Sequence, residues 1–285
     1  MPISKTKKAL IVIAVIVVVL VLVPFFIGIF GKESGDKIGI VEIEGTITDS
    51  KNAMDDIVRF KDDESIKGVV VRINSPGGGA AASQEIHREV KKLREKKKVF
   101  VSMASVCASG GYYIATAGEK IYASPSTITG SIGVIMQQTV VEDLMKKIGI
   151  QANTIKSGEL KDAGTPFRKM SEGERKYLND VLADIHEQFI KDVAEGRKMP
   201  VDAVRKLSDG RIFTGIQAKN AGLVDAIGTF YDAVEGIKVS LNILEKPVLV
   251  YGKKPFSIIR WLISSIAREF GTELDTRSFK YMYNQ

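Results

Sequence analysis

Near its start the chain reads "ALIVIAVIVVVLVLVPFFIGIF" (Ala9 to Phe30), 22 residues without a charge. At about 1.5 Å of rise per residue this length crosses a ~30 Å hydrocarbon core, so the pattern predicts a transmembrane helix, with Pro24 a candidate kink. A cleavable signal peptide has a shorter apolar stretch, about 7–15 residues, and a small-residue exit that is missing here. The segment therefore reads as an uncleaved anchor. Beyond a polar linker the pattern changes to apolar runs alternating with helical periodicity. "KIGIVEIEG" (Lys37 to Gly45), "GVVVRIN" (Gly68 to Asn74), "VFVSM" (Val99 to Met103), "KIYAS" (Lys120 to Ser124) and "GVIMQ" (Gly133 to Gln137) read as strands. Between them, Ala80 to Glu95 is a helix with Ile86, Val90 and Leu93 on one stripe. A short helix is expected from about Ser109 to Ala117, and another from Val140 to Ile148, followed by "IQANTIK" (Ile150 to Lys156).

The longest helix is predicted to open at Ser171, because Glu174 three residues on completes a capping box. Its apolar stripe is Leu178, Val181, Leu182, Ile185, Phe189 and Val193. "FTGIQAKNAGLVD" (Phe213 to Asp225) reads as a short helix started by Thr214 and stopped by Gly222. Near the end, "PFSIIRWLISSIAREF" (Pro255 to Phe270) is amphipathic, and membrane surface, its own core and a partner subunit are all candidate supports for its apolar face. The alternation of strands and helices predicts an α/β fold. The resulting division is residues 1–8 as a cytoplasmic N-terminus, 9–30 as the anchor, 31–36 as a linker, 37–250 as the α/β domain and 251–285 as an amphipathic C-terminal extension.

Charge settles orientation. Lys5, Lys7 and Lys8 precede the apolar segment and the other flank is balanced, so the N-terminus stays inside and the domain lies on the extracytoplasmic side of the cell membrane. The net charge of +7 is scattered, with no aromatic interleaving and no helix-turn-helix pattern, which leaves no case for nucleic-acid binding. One cysteine, Cys107, excludes an intrachain disulfide, and no Cys/His cluster offers a metal site. His87 and His186 both fall inside helical patterns and read as structural or surface residues, so neither is placed as a catalytic base.

Four features carry candidate chemistry. "INSPGGG" (Ile73 to Gly79) follows a buried strand and precedes a helix, where glycines leave N–H groups open to an anion or a developing oxyanion; a plain tight turn is the alternative. It lacks the lysine and hydroxyl of a phosphate-binding P-loop. Ser109 begins a helix beside Gly110, as a nucleophile next to an oxyanion donor would; an N-cap is the alternative. "KSGELKDAGTPF" (Lys156 to Phe167) is a polar loop offering Lys156, Lys161 and Lys169 as bases, and spacing alone does not choose among them. A free lysine is neutral in only about one molecule in 2,500 at pH 7, so such a base must be desolvated. Finally, "TITGSIGVIMQ" (Thr127 to Gln137) reads as a turn into an exposed-edge strand, where Gly133, Val134 and Ile135 would pair with an extended peptide.

The segments "NSPGGG", "ASGGYYIATA", "TGSIGV", "GELKDAGTPFR" and "GRIFTGIQAKNAGLVD", in this order, resemble the signal peptide peptidase A family of membrane-anchored Ser-Lys proteases, over roughly residues 37 to 240. The resemblance implies a ClpP/crotonase-like fold of repeated ββα units. It makes Ser109 the nucleophile, picks Lys161 as the general base and gives the oxyanion hole to the N–H groups of Gly78 and Gly110, with no metal or cofactor. The chain has one half where longer members have two. In the two-half members serine and lysine come from different halves, so a single-half chain would need a neighbouring subunit to bring Lys161 to Ser109. This implies a ring-like homo-oligomer acting on peptides such as cleaved signal peptides, held in lipid by the N-terminal helix. The alternatives are a related ClpP-class protease with a defined membrane-protein substrate, a crotonase-type acyl-CoA enzyme, and a non-catalytic scaffold.

Overall fold

Strand β1 (Lys37–Glu44) lies parallel to β2 (Ile66–Ser75), and β2 parallel to β3 (Lys98–Ala108), in the centre of the computed structural model. The structure describes residues 35–252, with Val18 and Val19. The anchor expected over 9–30 falls outside the described residues apart from those two, and so does the amphipathic segment from Pro255. Among the described residues no helix is long and apolar enough to cross a membrane.

Strand β3 decides where the site forms. Its first part pairs in parallel with β4 (Lys120–Ala123), and its last three residues pair with β5 (Ile128–Gly130). The sheet therefore forks along β3. Strand β6 (Ile212–Thr214) adds antiparallel to β5, β7 (Ala226–Ile227) adds to β4, and β8 (Val248–Tyr251) closes the far edge on β1.

Alternation along the central strands buries both faces. Val41, Ile43, Val69, Val71, Val99 and Val101 face one layer, made by α1 (Lys51–Asp62), α2 (Ala80–Lys96), α3 (Gly110–Ala115) and the second half of α5 (Glu172–Arg197). Ile38, Ile40, Val70 and Phe100 face α8 (Phe230–Ser240). Each such side chain contributes roughly 1.5–3 kcal/mol when removed from water, so the two-sided sheet is the main source of stability. Between β5 and α5 lie α4 (Glu142–Lys147) and a single 3-10 turn at Glu159–Asp162, neither of which buries an apolar side chain. The short α6 (Val201–Arg205) and α7 (Gly215–Asn220) complete the helices among the described residues, and α7 starts after Thr214 as expected, with a capping box from Thr214 to Gln217.

Two expectations change. Gly133 to Gln137 form no strand: pairing continues as far as Ser131, whose N–H donates to the Arg211 carbonyl at 2.8 Å, and Ile132, which accepts from Gly210 at 3.2 Å. Beyond that, no described strand pairs with the segment. Helix α5 does start at Ser171 with both arms of its capping box. Its stripe, however, is buried only from Phe189 onward; Leu178, Val181, Leu182 and Ile185 stay half-buried or exposed.

Candidate active site

The fork in the sheet leaves the end of β3 facing the Gly-rich loop after β2. At that end the Ser109 backbone adopts φ 51° and ψ −121°, a region that a residue with a Cβ rarely occupies. It is held there from two sides: its N–H donates to the Gly130 carbonyl at 2.8 Å, and its carbonyl accepts from Tyr113 N–H at 2.8 Å, inside α3. The strain is thus over-determined by β5 and by the helix that follows, as is common at functional sites. The Ser109 side chain accepts no capping hydrogen bond from the helix N–H groups, so the N-cap alternative does not describe its hydroxyl.

The loop from Ser75 to Gly79 supplies the opposite wall. Gly77 takes φ +102°, and a Cβ there would stand 2.7 Å from the Gly110 nitrogen and 2.8 Å from the Ser109 Cβ. Only glycine allows this approach. Gly78 bridges Ile47: Ile47 N–H donates to the Gly77 carbonyl at 2.9 Å and Gly79 N–H to the Ile47 carbonyl at 2.8 Å. The Gly78 N–H is left pointing the other way. A Cβ on Gly110 would lie 3.3 Å from that nitrogen, so the two amides are neighbours. Among the described residues neither the Gly78 nor the Gly110 N–H donates to a protein acceptor.

These groups share one cavity of about 620 Å³. Ser109, Gly78, Gly110, Gly133, Val134 and Ile135 all line it, so the structure brings together six of the seven residues singled out in the sequence. Thr46, Gln84, Tyr113, Ser131, Ile185 and Phe189 line it too. Of these, Ile185 and Phe189 stand four apart on the stripe of α5, a signal present in the sequence, and Tyr113 is one helical turn after Ser109. Ser131, at φ 51°, adds a second hydroxyl. In the sequence it stands as part of a turn, because the fork that brings it to the cavity is a long-range feature. Lys161 does not line the cavity; it sits exposed in the 3-10 turn.

The other candidates have structural places. Cys107 is fully buried and burial pushes its thiol up, so it is not a thiolate nucleophile. His87 is buried with its ring 4.8 Å from that of Tyr113, and desolvation lowers its pKa to about 4. It is a packed, neutral side chain outside the cavity. No group of three or more His, Cys, Asp or Glu able to hold a metal occurs among the described residues. A serine hydroxyl beside two uncommitted N–H donors can attack a carbonyl and stabilise the resulting oxyanion; among the described residues that line the cavity none is a lysine, histidine, aspartate or glutamate.

Residues 91–244 match the family model described as peptidase family S49. Over 258 residues the chain is 34% identical to a protein of Enterococcus faecium named "Putative signal peptide peptidase SppA", covering 85% of this chain and 75% of that one. It is 37% identical over 227 residues to a "Putative protease" of Methanocaldococcus jannaschii, covering 78% of this chain and 72% of the relative. Over 217 residues it is 36% identical to "Protease 4" of Haemophilus influenzae, covering 73% of this chain but only 35% of that longer protein.

Proposed function

We propose, from the premise that this chain belongs to peptidase family S49, the SppA family of serine peptidases, that it is an endopeptidase with a Ser109–Lys161 dyad completed between subunits. The observation that carries the reading is the strained Ser109 at the mouth of a cavity where the Gly78 and Gly110 N–H groups have no protein acceptor. We further infer a ClpP/crotonase-like fold, which is consistent with the parallel sheet covered on both faces and the site at its forked edge.

The reaction runs in two halves. Neutral Lys161 takes the proton from the Ser109 hydroxyl as its oxygen attacks the peptide carbonyl carbon. The negative charge forming on that carbonyl oxygen is held by the Gly78 and Gly110 N–H groups. The Lys161 ammonium then protonates the departing amine, leaving an ester on Ser109. In the second half the neutral Lys161 amine draws a proton from water as the water oxygen attacks the ester carbonyl, and the Lys161 ammonium returns a proton to the Ser109 oxygen as the acyl bond breaks. Gly133, Val134 and Ile135 lie along the cavity as unpaired backbone able to bond an extended peptide.

The inter-subunit arrangement is favoured by surface chemistry. The segment between β5 and α5 exposes Ile135, Leu144, Ile148, Ile150, Ile155 and Phe167, an apolar content that isolated surfaces rarely carry. We infer that a second copy of the chain covers it, with Lys161 of one copy serving Ser109 of the other. The substrates are peptides of the signal-peptide kind, and the chain is held at the cell membrane by residues 9–30 with the domain outside. Labelling by a serine-directed fluorophosphonate tests the reading. Ser109→Ala should abolish the labelling and Lys161→Ala should abolish turnover; retention of either in its variant would overturn that residue's role.

A further inference from the structure

The turn that carries Lys161 has little to hold it. None of Glu159–Asp162 buries an apolar side chain, and its backbone bonds are all local: Lys161 N–H to Gly158 carbonyl at 3.2 Å, Ala163 N–H to Leu160 carbonyl at 3.1 Å and Thr165 N–H to Asp162 carbonyl at 3.0 Å. A base has to be held within a fraction of an ångström to work, and a 1 Å displacement can cost about 10²-fold in rate. Something other than packing must fix it.

A chain of charges does so. The Asp162 carboxylate, next to Lys161 in sequence, accepts from Lys156 Nζ at 2.6 Å, and the same ammonium donates to the Glu159 carbonyl at 2.7 Å, closing the turn. On its other oxygen Asp162 accepts from Arg168 Nε at 3.2 Å. The far edge of the Arg168 guanidinium donates through Nη1 to Glu174 Oε2 at 2.8 Å and through Nη2 to Glu174 Oε1. Glu174 is buried at the third position of α5, and its Oε2 also accepts the Ser171 N–H at 2.8 Å. The hydrogen bonds from Arg168 and from Ser171 hold the Glu174 carboxyl down at about 2. Arg168 therefore bridges two carboxylates, one in the Lys161 turn and one anchored in a helix start. That helix lines the Ser109 cavity with Ile185, eleven residues on from Glu174 and so about 16 Å along the rod.

We propose that Arg168 is a positioning residue for Lys161, acting through Asp162; the inference rests on the assignment of Lys161 as the base. A planar fork can serve both carboxylates at once, whereas the single ammonium of lysine cannot reach both in fixed geometry. Lys156 neutralises Asp162 but ties it only to its own turn. Among the described residues, Arg168 is the side chain that hydrogen-bonds both the turn, at Asp162, and the rod, at Glu174.

The test uses the full-length assembled protein and a fluorogenic peptide, with kcat referred to assembled enzyme. Arg168→Met is expected to lower kcat about 10- to 100-fold with KM within about twofold. Arg168→Lys should restore part of the loss but not all of it. A kcat within twofold of wild type in Arg168→Met, or full restoration by Arg168→Lys, would overturn the bridge. Should Arg168→Met fail to assemble, Asp162→Asn decides, because it cuts the turn loose while leaving Arg168 on Glu174: the same fall in kcat supports the proposal, and wild-type kcat overturns it. Lys161→Ala separates the two levels. If it turns over like wild type, the base assignment itself fails; if it is dead while Arg168→Met and Asp162→Asn are unimpaired, only the positioning role fails.

Discussion

Gly78 sits against Ile47 so closely that a methyl group on it would collide with the Ile47 carbonyl oxygen. The bridge between these residues fixes the loop after β2 and leaves the Gly78 nitrogen beside Gly110, the residue after Ser109. Gly78→Ala must therefore push the loop away and take the donor with it. Removal of one oxyanion donor costs about 10²–10³ in kcat, and a loss of that size is expected here with little change in KM. Steady-state kinetics on the folded variant check it; turnover within tenfold of wild type would remove Gly78 from the oxyanion hole.

Stability should respond to pH through His87. Its pKa is lowered to about 4 in the folded protein, mainly by burial, while Asp192, Lys91, Glu195 and Arg94 supply the nearby charges. In the unfolded chain the imidazole titrates near 6.5. Above that value both states are neutral and the residue adds no pH dependence. As pH falls from about 6.5 to 4 only the unfolded chain takes up the proton, so folding loses up to about 3 kcal/mol. Urea unfolding at pH 7 and pH 4.5 should show this loss in the wild type and a smaller one in His87→Gln. Equal losses in both would contradict it.

The exposed isoleucines predict an assembly phenotype. Ile155 is fully exposed and Ile135 is 87% exposed, so neither supports the fold of one chain. A charge placed at an interface is desolvated at considerable cost, whereas on a free surface it costs almost nothing. Ile155→Asp should leave the thermal midpoint of the isolated subunit nearly unchanged, reduce the particle mass measured by light scattering, and abolish turnover. An active particle of unchanged mass would place the interface elsewhere.

How much of this was legible in the sequence depends on range. The strands at Lys37, Gly68 and Val99, and the stripe Ile86, Val90 and Leu93, follow from local alternation and are buried as expected. The cap at Ser171 is equally local and is present with both hydrogen bonds. Helix α1 passed unnoticed because only Ile57 and Phe60 of its twelve residues are buried, too few to mark a stripe. Strands β5 and β8, of three and four residues, owe their existence to partners distant in sequence. The expected strand at Gly133 fails for the converse reason: its residues have the right character and no neighbour to pair with. The cavity's glycines and Ser109 stood out by composition. The inward turn of Ser131 follows from the fork in β3, which no local pattern encodes.

Mixing two dead enzymes tests most directly whether Lys161 of one chain serves Ser109 of another. Ser109→Ala and Lys161→Ala proteins are unfolded, combined in equal amounts and reassembled, and peptide turnover is measured. In a ring where each site takes one group from each of two neighbours, about a quarter of the sites regain both, so about a quarter of wild-type turnover should return. Mixed particles of full size that remain as inactive as either parent would contradict the shared site.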